Sequence, residues 1–534
     1  MPGQEVPLSN SAPPRPRFAH ARFLASIAVA AALLQWIATS PRWLVHINWD
    51  AGSYLHHIAT GGLAWSSPTW TAHAGLQYLY LAACAAARVF HGTPADGLRL
   101  LNSVCFALSA VLIADAGVRL ARSRLLAALL AGIWGTAFVM QFLTFTLEDN
   151  IVFLTPGVLM LWLFSARFER WRSRDSLASG VLAAASLLLS IQGVLYILPP
   201  LYLALALPRR GVTLLRRAAD AALVLLGFGI GLGCFVLFFA AISSLSWRNA
   251  LAWLAARPTS TFPSTRADLI AQLLDVKASL RTVGIAVSLH LFQNRRPFAS
   301  PAALVGLGAF TIAVQAGMVA ACTWWSLRTK RWEAHLFAVL LLGMTLMTAL
   351  YRDVEYAYLK RTDFVPTIAA FLVLAAAGAT ALSARKQRIL AVALGVILVW
   401  QVAAGLRWRS HEVATYETLD NTVLSGRKTP GYHGLPPEGS FLRYFRSLRA
   451  NNPRACAFVF DLTDVQHGRW NPDLSGTLWS EIPQHYVLVA PSVMNTWSRR
   501  LRALDPGQAS TVLSGCEWLS DSAKHRLGVG IAPK

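Results

Sequence analysis

The sequence predicts an all-α polytopic membrane protein carrying a small α/β domain at its C-terminal end. Three observations predict it. The 534 residues are 55% hydrophobic and only 14% charged, against about 25% charged in ordinary globular domains. Apolar runs of roughly 18 residues or more recur along the chain, each enough to span a bilayer. Basic residues gather in the turns between those runs, which is the pattern of cytoplasmic loops. These turns are RLARSR (119–124), RFERWRSR (167–174), PRRGVTLLRR (208–217), SLRTKRWE (326–333) and ARKQR (384–388). The net charge of +22 therefore faces anionic lipid rather than nucleic acid. No repeat period and no finger-type cysteine spacing is present.

Taken in order, residues 1–21 (MPGQEVPLSNSAPPRPRFAHA) are polar and Pro-rich, and they predict a disordered cytoplasmic tail rather than a cleaved signal peptide. Residues 22–406 predict the transmembrane domain. Its first run ends near Ser40. The run GLQYLYLAACAAARVF (75–90) is short and is read as a surface-lying or re-entrant helix. If it crossed, the Arg-rich 167–174 turn would face outward, against the charge rule. With that run excluded, paired runs between successive basic turns give about 11 spans. A long connection, 242–301, interrupts one pair, and SSLSWRNALAWLAARP within it is amphipathic enough to lie on the membrane. The last run, about 389–406, leaves residues 407–534 on the extracytoplasmic side. There ACAFVFDLTD (455–464) and HYVLVAPSV (485–493) predict strands around the turn WNPDLSG (470–476). Cys84, Cys105, Cys234 and Cys322 lie in apolar runs and read as core residues. Cys456 and Cys516 in the exported tail fit one disulfide or two buried thiols equally well.

This topology puts every acidic loop on the external side. The first follows span one, in HINWDAGSYLHHIATGG (46–62), with Asp50 among aromatics and histidines. An isolated Asp at the lipid boundary is most simply a solvated loop residue. A second acidic pair, Glu148–Asp149, precedes the run NIVFLTPGVLMLWLF. Acids at a helix N-terminus are favoured by its dipole, yet capping leaves the pairing of two acids unexplained. Paired acids near a bilayer bind ligands or move protons. Asp50, Glu148 and Asp149 are thus the candidate general-base group. They are equally the oxygen set for a divalent cation, the one candidate cofactor. The loop YRDVEYAYLKRTDFVP (351–366) adds Arg352, Lys360 and Arg361. It is either a self-paired solvated loop or, with His73, a cradle for a phosphate.

WDAGSYL after the first span, the stretch from His73 to Leu120, and FTLEDNIVFLTPGVLML together resemble the GT-C glycosyltransferases that use polyprenyl-phosphate sugars. Protein O-mannosyltransferases and lipid A aminoarabinose transferases are the familiar members. The family's H-P-P-L-Y-Y segment corresponds to His73-Ala74-Gly75-Leu76-Gln77-Tyr78, and its late R-Y-x-x-x-x-P segment to Arg361 through Pro366. The resemblance covers about 46–165, is faint over 350–375 and does not reach 407–534. The first loop has Asp-Ala-Gly where many relatives have Asp-Glu. The resemblance implies a GT-C-like fold in a bacterial inner (plasma) membrane. It implies transfer of a sugar from a polyprenyl phosphate to an acceptor hydroxyl on a lipid, glycan or protein, with inversion, on the extracytoplasmic face. In that scheme Asp50 is the base and the basic residues hold the leaving phosphate. A transporter or flippase for lipid-linked glycans, or a surface-polysaccharide polymerase, is the competing reading. Transporters place charge at mid-membrane on broken helices within inverted repeats, whereas here charge lies in loops.

Overall fold

The computed structural model describes residues 17–38, 74–90, 94–137, 150–190, 196–207, 212–243, 245–255, 274–292, 300–350, 364–380, 383–424, 457–461, 486–489 and 502–504, with isolated residues between. The described helices are α1 (Arg17–Ala38), α2 (Leu76–Val89), α3 (Pro94–Leu120), α4 (Arg124–Thr136), α5 (Asn150–Arg167), α6 (Ser173–Leu189), α7 (Leu198–Leu205), α8 (Leu214–Ser243), α9 (Trp247–Ala255), α10 (Val276–Phe292), α11 (Pro301–Thr329), α12 (Glu333–Leu350), α13 (Phe364–Ala379) and α14 (Ala384–Leu424). Five stretches are long and apolar enough to cross a membrane: Phe18–Ile37, Asp96–Leu120, Leu214–Ser243, Pro301–Thr329 and Ala384–Arg407. Shorter apolar helices, Arg124–Thr136, Ile151–Arg167, Glu333–Met347 and Val365–Gly378, pack among them. The chain is an integral membrane protein of the all-α class. Helices serve here because lipid offers no partner to an open backbone.

The buried core runs through α3, α4, α5, α12 and α13, around Trp134, Phe164, Phe337 and Phe371. Many large apolar side chains of α1, α8, α11 and α14 are exposed, among them Leu33, Leu226, Phe310 and Val396. An apolar surface of this kind is stable against acyl chains.

Helix direction follows from pairwise contacts with α3. His20 at the start of α1 meets Asp115 near the end of α3 (2.9 Å), and Arg99 near the start of α3 donates to the Trp36 carbonyl at the end of α1 (3.3 Å). These two helices are antiparallel. A Cβ on Gly117 would meet Ala127, while Phe106 stacks on Trp134 (5.0 Å), so α4 is antiparallel to α3 as well. Trp162 of α5 donates to Asp115, and Thr155 bonds Cys105 and Ser109, which makes α5 parallel to α3. Thr367 accepts from Trp134 (2.9 Å), and Gly378 abuts the Leu120 carbonyl, so α13 is parallel to α3 too. The Thr136 hydroxyl lies 3.0 Å from the Gln401 side chain, and a Cβ on Gly132 would meet Leu398, so α14 runs with α4. The remaining helices pair likewise. α6 and α8 lie parallel in backbone contact at Gly180 and Gly227. α11 and α12 form a hairpin in which Thr323 meets His335 (2.9 Å). The bundle therefore has a Trp36 end and an Asp115 end.

Arginine–tryptophan pairs mark both ends of α3. Arg99 lies 4.2 Å over the Trp36 ring and Arg119 lies 5.7 Å from the Trp162 ring. Their 20-residue separation is about 30 Å of helix, the thickness of a hydrocarbon core. At the Asp115 end lie the basic turns and a second pair, Arg328 over Trp324 (3.8 Å).

Two of the helices at the Trp36 end do not traverse the bundle. α2 has 14 residues, about 21 Å. It folds back on α3, where a Cβ on Gly97 would sit 2.8 Å from the Cys84 backbone, and its Gly75 N–H donates to the Leu188 carbonyl (2.7 Å) at the end of α6. The helix thus lies against α3 without traversing the bundle, as the run 75–90 predicts. α10 pairs antiparallel with the first half of α11, with Gly284 against Leu304 and Gly308 against Leu280.

The C-terminal stretch contributes three short strands, β1 (Ala457–Asp461), β2 (Tyr486–Val489) and β3 (Arg502–Leu504). Their order is β2-β1-β3, with β1 parallel to β2 and antiparallel to β3. The first two fall within the predicted strand segments. α14 runs on to Leu424, beyond the predicted end of the last span at 406, and α1 starts at Arg17, five residues before the predicted domain boundary.

Candidate functional site

Asp50, His73, Glu148, Asp149, Arg352, Lys360 and Arg361 lie outside the described residues, as do Cys456 and Cys516. The helices that carry them in sequence are described, and those helix ends have a common address. α1 ends at Ala38, ahead of the segment with Asp50 and His73, and its last turn stands beside Arg99. α5 begins at Asn150, next in sequence to Asp149, and its Thr155 is level with Cys105. α13 begins at Phe364, just after the basic loop, and its Thr367 is bonded to Trp134 in the last turn of α4. α14 passes Thr136 at Gln401 on its way to the C-terminal stretch. All four ends sit at the Trp36 end of the bundle. Ala74, the first described residue after His73, is fully buried beside Leu188 in a cluster with Val236, Phe239 and Leu254.

The described residues at this end hold one ion pair. Arg99 donates to Asp96 (3.1 Å) while stacking on Trp36. Beneath it lies a group of buried polar side chains: Gln35 of α1, Gln77 and Tyr80 of α2, and Asn102 and Ser103 of α3, none more than 6% exposed. Sequence reading missed this group. Its signal was available in QW, LQYLY and LLNSV, where amides and hydroxyls interrupt apolar runs, which lipid-facing surfaces seldom accept.

The Asp115 end is built differently. Asp115 is 5% exposed, and its carboxylate accepts from His20 (2.9 Å), Arg119 (2.6 Å) and Trp162 (2.7 Å). One side chain so ties α1, α3 and α5 together. Nearby, Thr323 donates to the Val319 carbonyl (2.7 Å). Its oxygen is then the acceptor for the His335 Nδ1–H (2.9 Å), which leaves Nε2 to accept from the Tyr202 hydroxyl (2.9 Å). This neutral tautomer staples α7, α11 and α12. No group of three or more His, Cys, Asp or Glu residues able to hold a metal ion occurs among the described residues. Cys84, Cys105, Cys234 and Cys322 are in no disulfide.

Comparison with family models, with curated proteins and with solved structures finds no match for this chain.

Proposed function

We propose that the chain is a membrane glycosyltransferase of GT-C type, which moves a sugar from a polyprenyl phosphate to an acceptor hydroxyl on the extracytoplasmic face. The observation that supports it best is the common address of the helix ends flanking Asp50, Glu148–Asp149 and the 351–363 loop. In this reading the carboxylates and guanidinium groups, far apart in sequence, meet at the end of the bundle where the flanking helices end. The basic turns lie at the other end, which on the charge rule is cytoplasmic.

In this reading Asp50 takes the proton of the acceptor hydroxyl as that oxygen attacks the anomeric carbon. The bond to the phosphate oxygen breaks with inversion. Arg352, Lys360, Arg361 and His73 receive the leaving phosphate. Glu148 and Asp149 orient the acceptor or hold a divalent cation, which would neutralise the phosphate. Eleven crossings, with the α/β stretch outside, complete the scheme. The alternating helix directions support it, and α2 is the run 75–90 that does not count as a crossing.

The test is transfer from a panel of radiolabelled polyprenyl-phosphate sugars to endogenous acceptors in membrane vesicles. Transfer of one labelled sugar is the expected result. Translocation of an intact lipid-linked glycan without glycosidic bond formation would turn the reading to a transporter. Impermeant thiol labelling of single cysteines at positions 50 and 149 is expected to mark both from the same side.

A further inference from the structure

Buried polar side chains concentrate at one level of the Trp36 end. The α1–α3 pairing, fixed by His20 on Asp115 and Trp36 on Arg99, sets Gln35 level with Leu100. The α2–α3 hairpin, fixed by Cys84 against Gly97, brings Tyr80 and Gln77 to the height of Leu101 through Val104. Gln35, Gln77, Tyr80, Asn102 and Ser103 thus form a layer about a turn beneath Arg99.

Two atoms of this layer are unspent. The Gln77 Nε2 donates to the Ala74 carbonyl (3.2 Å), which fixes the amide's orientation, because an oxygen there would face another oxygen. The free atom is therefore the acceptor Oε1, on a side chain with no exposed surface and with no hydrogen-bond partner. The Ser103 hydroxyl, on a residue 6% exposed, also has no partner. Thr136, Thr155, Ser186 and Thr345 instead turn their hydroxyls onto the carbonyl four residues back, the ordinary choice inside a membrane helix. Leaving a buried acceptor and a buried hydroxyl unsatisfied is unfavourable, so ligand hydroxyls that reach them are favoured.

We infer that the layer around Gln77 and Ser103 is a binding site for a neutral, hydroxyl-bearing group, which under the proposed glycosyl transfer is the sugar of the lipid carrier. The chemistry selects this class. Oε1 accepts, and the serine hydroxyl both donates and accepts, which complements sugar hydroxyls. Among the described residues no charged side chain belongs to the layer, and Arg99, about a turn above it, is engaged by Asp96 and Trp36. A phosphate would find no counter-charge among them. The site rests on the glycosyltransferase reading only for the identity of its ligand.

The experiment uses the full chain in nanodiscs, with Gln77→Leu and Ser103→Ala made singly. The probes are a panel of butyl glycosides, butanol, and a bare polyprenyl phosphate. The wild type is expected to bind at least one glycoside in preference to butanol. Each variant is expected to weaken that binding about tenfold while bare polyprenyl phosphate binds as before. If a variant does not fold, Gln77→Asn and Ser103→Thr replace it, and an altered ranking among the glycosides is then the expected result. Unchanged glycoside binding in the variants, equal binding of butanol and glycosides, or parallel loss of bare phosphate would each overturn the inference. If glycosides bind and the variants lose them, yet no labelled carrier sugar is transferred, the layer stands and the glycosyltransferase reading fails.

Discussion

The two ends of the bundle use buried polarity in opposite ways. At the Asp115 end, polar side chains of different helices are bonded to one another. One carboxylate takes three donors from three helices, and one imidazole is held between two hydroxyls. At the Trp36 end, half-length helices stop short, buried amides and hydroxyls share one level, and the segments carrying Asp50, Glu148–Asp149 and Arg352–Arg361 attach. On the proposed function the difference separates cohesion from recognition: the Asp115 end holds the helices in register, and the Trp36 end offers buried polar groups to a ligand.

The largest effect expected from breaking this contrast is at the recognition end. Asp50→Asn should lower transfer by about a thousandfold, within the range of a lost general base, with the unfolding midpoint in detergent unchanged. Near-normal turnover would remove Asp50 from the mechanism. Next comes the cohesive end, where Asp115→Ala strands a guanidinium, an imidazole and an indole. Because His20 and Arg119 side chains are 31% and 51% exposed, they can turn to water, so the stability loss should be about 2–3 kcal/mol. Transfer by the protein that remains folded should be unaffected. A variant that kept wild-type stability yet lost activity would invert the division of labour.

Smaller effects sharpen the picture. Gly180 sits where α6 meets the Val224 carbonyl of α8, a close backbone approach of the small-residue kind. Gly180→Val must part the two helices, at about 1–3 kcal/mol for overpacking, read as a lower unfolding midpoint. Thr367→Val removes the acceptor of the Trp134 indole. It should cost about 0.6–1 kcal/mol, the usual worth of one interhelical hydrogen bond in a membrane, and thermal denaturation with intrinsic fluorescence would detect it.

Much of the frame was legible in the sequence, for reasons tied to lipid. Run length and the basic turns 119–124 and 326–333 sort helix from loop because charge and hydrocarbon repel. The run 75–90 was readable as a partial helix from its 16 residues and Arg88, and α2 is that partial helix. What the sequence concealed was partnership. Asp115 in LIADAGVRL looks like a stray acid until α1 and α5 bring His20 and Trp162 to it across 95 and 47 residues. Gln77 in LQYLY looks like an interruption until burial is known. Inside a membrane, apolar residues face both protein and lipid, so the helical period that marks a buried side in water carries little information. The half-length α10, hidden in the 242–301 connection, escaped for that reason too.

The tryptophan–arginine brackets on α3 have a further consequence. A rod held at both interfaces, about 30 Å apart, makes the protein a gauge of acyl-chain length. In bilayers of shorter or longer lipids the mismatch must be absorbed by tilt or by thinning. α1, most of whose surface faces outward, would lean and carry the first loop with it. Turnover in vesicles of graded chain length should therefore peak where the hydrocarbon matches the Arg99–Arg119 spacing.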